Sequence, residues 1–598
     1  TTRRIQMKLQ KRPFTDLLGA AFAVLISALP LHGDKRPNVV FILIDDISHY
    51  GVSAYGAKQL NSTEGFFEGM PVSTPEIDRL ADEGVLAKNA FAYAICEPTR
   101  IALMTGMNNQ RNFVQAKALH ESHITFGDLF KRAGYTTGIA GKWKQSRGSS
   151  TIPGEAYVDQ FGWDHIHCFD LLYEGPRHID PNFVINGKIN WYKGLSPETK
   201  RRYYGPELVN RFALDFIETH QDEPFFLYYP MLLVHDEHTP TPDTQPNEHY
   251  DNFEVMTHTG IKADNSFGAF KGDDRRFYPD MVAYMDKMIG NVTDQLDRLG
   301  LREKTLIVVM GDNGTKAAFS YTLEDGTVFI GAKGQSKVNG LQVPLILSYP
   351  GSIAAGSIYD GLINLTDLLP TLCELADINI PHKEEIDGIS FWPQVTGNQD
   401  EAHRENLYTW YNANRAMADQ SKLITYAQEI GFKRYGPDTN YPNGRFFDLR
   451  TDPFERAGTQ KVKFDWNNWH HSGLDISKLT KAQSAAYERL GAVLESNAYR
   501  PVSAVKIVAP PSRLKINESI VLQKLISPQD ASMRSVIWES SDPEIARVDK
   551  FGNVTARQPG VVTISLYSWD DERPVADGKN AVLTRSGLSD QITLSVIR

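Results

Sequence analysis

Two rhythms of apolar residues divide the chain. The runs Asn38-Val39-Val40-Phe41-Ile42-Leu43-Ile44 and Leu306 to Met310 are almost wholly apolar and rich in β-branched residues. Strands buried on both faces read this way, as in a parallel sheet covered by helices. Both runs stop at polar residues, Asp45-Asp46 in one case and Gly311-Asp312-Asn313-Gly314 in the other. The stretch from Pro224 reads as a third buried strand ending at His235. Between such runs lie helical patterns. Thr74-Pro75-Glu76 opens a segment closed by Gly84, with Thr as N-cap and Pro at the first helical position. From Pro279 to Leu299 the residues Met281, Met285, Met288, Ile289, Val292, Leu296 and Leu299 fall on one stripe. Strands alternating with helices over this length predict an α/β fold with a mainly parallel sheet.

Beyond Ser503 the rhythm changes. Val505–Val508, Ser535–Trp538 and Val561–Leu566 are short β-rich segments separated by turn residues, and Asp549 to Val554 reads as a hairpin crossing. This predicts a small β-sandwich. At the other end, Arg3, Arg4, Lys8, Lys11 and Arg12 precede the uncharged run Leu17 to Leu29, with Gly33 near a cleavage point. A basic stretch before a short apolar core is read as a secretory signal peptide over 1–33, with Met7 as its start. The mature chain is therefore expected to be soluble and exported, secreted or periplasmic, with no membrane span.

Composition narrows the function classes. The chain of 598 residues has 63 Lys+Arg against 73 Asp+Glu, a net charge of −10, which argues against a nucleic-acid partner. Cys96, Cys168 and Cys373 are too few for a disulfide framework and lack zinc-site spacing, but one of them can be catalytic.

Cys96-Glu97-Pro98-Thr99-Arg100 is the most informative segment. Proline at 98 places Cys96 and Glu97 just ahead of a helix, where unpaired N–H donors and the positive end of the dipole suit a tetrahedral anion. Arg100 can reach back to the same point. Asp45, Asp46, Asp312 and Asn313 stand at the carboxyl ends of strands, where ligands bind in α/β sheets. Hard oxygen donors of this kind suit Ca²⁺ or Mg²⁺ rather than zinc.

These residues resemble the formylglycine-dependent sulfatases of the alkaline phosphatase superfamily. The family's Cys-x-Pro-Ser/Thr-Arg motif, followed by Leu-x-Thr-Gly, is present with Leu103, Thr105 and Gly106. The resemblance implies that a formylglycine-generating enzyme oxidises Cys96, whose hydrate is the nucleophile, and that Arg100 holds it in place. It implies a Ca²⁺ site at Asp45, Asp46, Asp312, Asn313 and residue 96, with Mg²⁺ the lesser alternative. Gly134 to Lys144 resembles a second signature that usually ends Gly-Lys-Trp-His. Lys142 matches its sulfate-contacting lysine, whereas Lys144 stands where many members have a His that assists sulfate release. Lys333 matches another sulfate-binding lysine, and His235 the histidine that donates to sulfate, with His238 a nearby rival. Gln342, where Arg is common, reads as structural. From Trp538 to Ala556 the chain resembles the bacterial Ig-like group 2 domain, a spacer, adhesion or carbohydrate-binding module.

The resemblance implies an alkaline phosphatase/sulfatase-like α/β domain over 36–380, a smaller subdomain over 381–500 and an all-β Ig-like domain over 503–598. The expected activity is hydrolysis of sulfate esters carried by carbohydrate. The alternatives are a phosphonate or phosphate-ester hydrolase of the same superfamily and a non-catalytic glycan-binding relative. Trp466, Trp469, His470 and His471 form an aromatic cluster that reads either as a sugar pocket or as surface.

Overall fold

The computed structural model describes residues 36–112, 117–146, 152, 154–169, 176–251, 274–412, 423–438, 440–464, 468–508, 510–569 and 587–598. Its centre is a ten-stranded sheet. In chain order the strands are β1 (Asn38–Ile44), β2 (Val85–Phe91), β3 (Thr136–Lys142), β4 (His165–Phe169), β5 (Asn182–Ile185), β6 (Lys188–Trp191), β7 (Phe225–Pro230), β8 (Thr305–Gly311), β9 (Leu345–Ser348) and β10 (Ser357–Asn364). Across the sheet they lie β10-β2-β9-β8-β1-β7-β3-β4-β5-β6.

The stretch β8-β1-β7-β3-β4 is parallel throughout. Every residue of β1 is buried. Val39, Phe41 and Leu43 enter one core, and Val40, Ile42 and Ile44 enter the other. A strand covered on both faces has no polar side, which is why its sequence is unbroken apolar. The sheet is thus mainly parallel as expected, β10 also pairing parallel with β2, and the exceptions lie outside this centre. β9 runs antiparallel to both β8 and β2, and β5 and β6 form an antiparallel edge hairpin.

The helices that matter below are α1 (Pro75–Asp82), α2 (Cys96–Thr105), α3 (Phe126–Arg132), α4 (Gly205–Thr219) and α5 (Tyr278–Arg298). The α5 stripe is buried as its periodicity predicts, from Met281 to Leu296. In α1, Thr74 holds the N-cap position but its side chain caps nothing. The carboxylate of Asp286 on α5 accepts instead from the N–H groups of Glu76 and Ile77, each at 3.0 Å. A tertiary acceptor thus replaces the local one, which neighbouring residues could not reveal.

After the main sheet, Asn406–Asn412, Leu423–Glu429, Phe432–Tyr435 and Arg445–Asp448 form a four-stranded antiparallel sheet, against which helix α6 (Lys481–Ser496) packs. Trp466 and the side chains of Trp469 and His470 lie outside the described residues.

The C-terminal region is built of separate β-sheets around its own core of Val505, Leu514, Ile526, Val554, Ile564 and Leu594. Its hairpin forms where expected, with Val548 opposite Val554. The hairpin tip plugs into the α/β region. Lys550 donates to Asp128 Oδ2 at 2.8 Å, Gln160 O at 2.8 Å and His123 O at 3.1 Å. Lys524 pairs with Glu385 at 2.9 Å, both nearly buried. These contacts seat the C-terminal β region on the α/β core.

Candidate functional site

Register alone brings the acidic residues together. Asn38 pairs with Thr305 and Ile44 with Gly311, so β1 and β8 end level. Asp45-Asp46 and Asp312-Asn313 therefore leave the sheet side by side at its carboxyl edge. Carboxylate oxygens of Asp45, Asp46 and Asp312 all lie within 4.8 Å of one another. Asp46 N–H donates to Asp312 Oδ1 at 3.0 Å, and Asn313 Nδ2 donates to Asp46 Oδ1 at 2.9 Å. Asp46 adopts φ 66°, a left-handed conformation that costs a non-glycine residue roughly 1 kcal/mol and is typical of functional turns.

Cations surround this cluster. Arg100 donates to Asp312 Oδ2 through Nε at 3.1 Å and Nη2 at 2.7 Å, and through Nη1 to Lys142 O at 3.0 Å. Lys142, the last residue of β3, lies 2.5 Å from Asp45 Oδ2, and Lys333 lies 2.5 Å from Asp46 Oδ2. These residues are almost fully enclosed, so the charges interact in a low dielectric. Burial pushes the Asp45 carboxyl up, but Lys142, His235 and Arg100 outweigh it and hold it well below the usual carboxylate range. Asp312 moves the other way, up to about 7, because burial and the neighbouring Asp45 outweigh Arg100.

Cys96 is the first residue of α2 rather than a residue ahead of it. Proline at the third helical position removes only an N–H that has no intrahelical acceptor, so it does not delay the helix. The Sγ atom lies within 4.8 Å of ligand atoms of both Asp45 and His235. It also donates to Glu97 Oε2 at 3.5 Å. Burial and Glu97 push the thiol pKa up, so the unmodified side chain is not a thiolate nucleophile.

The strand expected to run to His235 stops at Pro230, where the ring removes a ladder donor. The chain beyond stays pinned to β1: Met231 N–H donates to Leu43 O, Asp45 N–H to Leu233 O, and Val234 N–H to Asp45 O. This places His235 Nε2 3.9 Å from Asp46 Oδ2, while Nδ1 lies 2.5 Å from Asp236 Oδ1. Burial and Lys333 push the imidazole down to about 3. His238 instead packs edge-on against Tyr278 and Phe319. Gln342 donates to Lys88 O at 2.8 Å, a structural contact between strands.

Lys144 is buried, with φ 64°. Burial, then Lys142 and Arg177, push its ammonium down to about 7. The structure thus gathers Asp45, Asp46, Cys96, Arg100, Lys142, Lys144, His235, Asp312, Asn313 and Lys333 at one edge of the sheet. Sequence reasoning passed over Arg177, in the loop after β4, because an arginine between Pro176 and His178 belongs to no periodic element.

Asp45 Oδ1 and Asn313 Oδ1 are buried and accept no hydrogen bond among the described residues. Oxygen acceptors left without donors beside further carboxylates fit a hard divalent cation. Among the described residues no helix is long and apolar enough to cross a membrane.

Comparison with known proteins agrees with this layout. Residues 37–378 match the family described as sulfatase, residues 337–464 the N-sulphoglucosamine sulphohydrolase C-terminal family, and residues 501–573 the bacterial Ig-like domain (group 2). The chain is 27% identical over 495 residues to the N-acetylgalactosamine-6-sulfatase of Mus musculus, covering 74% of this chain and 84% of that protein. It is 24% identical over 501 residues to the N-acetylgalactosamine-6-O-sulfatase of Bacteroides thetaiotaomicron, covering 71% of this chain and 90% of that protein. The fold is also that of BT4656, solved in complex with its substrate D-glucosamine-2-N,6-O-disulfate. That match has a TM-score of 0.54 and 20% identity, over 77% of this chain and 97% of the other.

Proposed function

This chain belongs to the sulfatase family of sulfuric ester hydrolases and carries a C-terminal Ig-like domain; from that premise we propose that it removes sulfate from sulfated carbohydrate through a formylglycine formed at position 96. The observation that carries this reading is the enclosure of Cys96, at a helix N-terminus, between an acidic oxygen cluster and Lys142, Lys333 and His235. The high thiol pKa supports it further, because a buried neutral thiol needs conversion before it can attack.

Ca²⁺ is the proposed metal, held by Asp45, Asp46, Asp312 and Asn313 together with residue 96, and when bound it supplies a Lewis acid for sulfate oxygens. The formylglycine, once hydrated, supplies a hydroxyl nucleophile whose partner hydroxyl releases sulfate without attack of water on sulfur. Arg100 orients this side chain. Its Nε and Nη2 hold Asp312 Oδ2 while the Asp46 N–H holds Oδ1, and Asp312 is the proposed acceptor of the attacking hydroxyl's proton. Lys142 and Lys333 neutralise the ester, which otherwise repels a nucleophile. His235 or Lys333 assists departure of the alcohol. Lys144 takes the place of the usual histidine beside the nucleophile, as an ammonium for sulfate or, when neutral, as a base. The proposed organisation is a signal peptide over 1–33, a catalytic domain over 36–380, a subdomain over 381–500 and the Ig-like domain over 503–598, in a secreted or periplasmic protein.

The test is to produce the chain with a formylglycine-generating enzyme, weigh the peptide containing residue 96, and assay sulfate release from sulfated glycans. Formylglycine with sulfate release that disappears in Cys96→Ala supports the reading. Faster cleavage of matched phosphate or phosphonate esters contradicts it.

A further inference from the structure

Arg177 is buried, with its side chain 7% exposed, yet Nε and Nη1 have no hydrogen-bond partner among the described residues. Its Nη1 stands 3.9 Å from Asp45 Oδ2, beyond hydrogen-bond reach. Leaving buried donors unpaired costs roughly 1–3 kcal/mol per group, more for charged ones. A protein tolerates that cost where a ligand later meets the donors.

The placement is rigid. The guanidinium lies over the ring of Phe169, the last residue of β4, at 5.0 Å. Next to it, the His178 ring bridges Glu237 O at 2.9 Å and Leu232 O at 3.3 Å. Gly205 N–H donates to His178 O at 2.5 Å. A Cβ on Gly205 would come within 1.9 Å of Arg177 O, so the start of α4 is fitted to this loop. The arginine is therefore held at the rim of the site rather than waving into it.

Charge balance points the same way. Arg100, Lys142 and Lys333 each face a carboxylate, respectively Asp312, Asp45 and Asp46. Arg177 adds a further positive charge to that set, on the Lys144 and His235 side of the pocket, where its field is felt by both groups. Asp312, Asp45 and Asp46 are thus already matched one for one before Arg177 is counted. A single scissile sulfate, already faced by Lys142, Lys333 and His235, leaves this fork over. Guanidinium presents paired N–H donors suited to a carboxylate or sulfate.

We propose that Arg177 binds a second anionic group, a carboxylate or sulfate, carried by the substrate close to the scissile ester, and so makes the enzyme selective for multiply anionic sugars. This rests on the sulfatase reading for its turnover assay, but its binding assay does not.

The full chain with formylglycine is assayed on 4-nitrophenyl sulfate, which carries one anion, and on hexosamine–uronate disaccharides bearing one or two sulfates. In Arg177→Gln, kcat/KM for the best disaccharide relative to that for 4-nitrophenyl sulfate falls about 50-fold or more, chiefly through KM, and Arg177→Lys recovers part of it. An unchanged ratio overturns the proposal. In parallel, the disulfated disaccharide is titrated calorimetrically into Cys96→Ala protein with Arg177 intact or changed to Gln, both with unaltered melting temperature. Binding weakened at least tenfold supports the proposal, and equal binding overturns it. If the wild type carries formylglycine yet releases no sulfate, the sulfatase reading fails while the calorimetric comparison still decides Arg177.

Discussion

Two clusters of buried charge in this molecule have opposite finish. In the subdomain, Lys433 is fully enclosed, pairs with Glu455 at 3.2 Å and lies over the rings of Tyr426 and Tyr435. Both oxygens of Glu455 are used: Oε1 accepts from Val338 N–H at 2.9 Å, and Oε2 from Tyr435 OH at 2.5 Å. At the carboxyl edge of the main sheet, by contrast, Asp45 Oδ1, Asn313 Oδ1 and two nitrogens of Arg177 are buried without hydrogen-bond partners among the described residues. Burial and charge are alike in the two places. Tyr426 OH and two nitrogens of Arg445 beside Lys433 also lack partners among the described residues, so what differs is the carboxylates: Glu455 has both oxygens occupied, whereas Asp45 keeps one open.

The clusters are also connected. Lys433 Nζ and Tyr435 OH both donate to Ser336 O, in the loop that carries Lys333. The finished cluster therefore holds one cation of the unfinished one in place.

The largest effect is expected at Arg100. Changing it to Met strips Asp312 of its main partner in a dry site. Turnover should fall at least about 10³-fold. Melting should report a loss of about 3–5 kcal/mol, the usual consequence of breaking a buried pair from one side. Retention of activity within tenfold would remove Arg100 from the machinery. Removing the cation with a chelator comes next. Sulfate release should stop and return on adding Ca²⁺, while the Lys433 cluster, which has no open oxygen on Glu455, keeps its part of the melt. Release that survives exhaustive chelation would give Asp45 and Asn313 another purpose.

Lys433→Met should cost about 3–5 kcal/mol by isolating Glu455, and should lower kcat about tenfold by freeing the Lys333 loop. Adding Glu455→Gln should restore much of the stability, because neither partner is then a lone charge. The matching pair in the site, Lys333→Met with Asp46→Asn, should recover stability in the same way but not turnover. If both double variants regain activity equally, the distinction between the clusters collapses.

The sequence disclosed one cluster and hid the other for physical reasons. Strand ends are visible because an apolar run must stop where the sheet meets solvent or ligand, and the register of β1 and β8 then sets Asp45 beside Asp312. The Cys96 segment was visible through its motif, although its helix begins two residues earlier than Pro98 suggested. Lys433 and Arg177 were not visible. A lysine in a short antiparallel strand normally points to water, and only the approach of Glu455, distant in sequence, buries it. The reversal of β9 and the capping of α1 by Asp286 also depend on partners remote along the chain. Likewise, no local pattern in Lys550-Phe551 shows that it would dock under Arg132 and beside Asp128.

That docked interface provides the mildest test of the same contrast, since it is finished only for neutral histidine. His120 and His123 flank the ring of Trp569 with centroids 4.4 and 4.7 Å away. Burial pushes both down to about 3, with Lys550 opposing protonation of each and the two rings opposing one another at His123. Their folded pKa lies below the unfolded value of about 6.5. Between those limits the unfolded chain binds more protons, so stability falls as pH drops from about 6.5 toward 3 and is indifferent to these groups above about 6.5. From pH 6.5 to 5 each histidine can remove up to about 2 kcal/mol, a shift of several degrees at most in a chain this long. Other buried histidines slope the same way, so the informative quantity is the difference between wild type and His120→Gln/His123→Gln. The double variant should melt with a shallower acid slope below pH 6.5 and a parallel curve above it. Identical slopes on both sides would mean that the Ig-like domain leaves before the enzyme core unfolds, and that its interface contributes nothing to the measured transition.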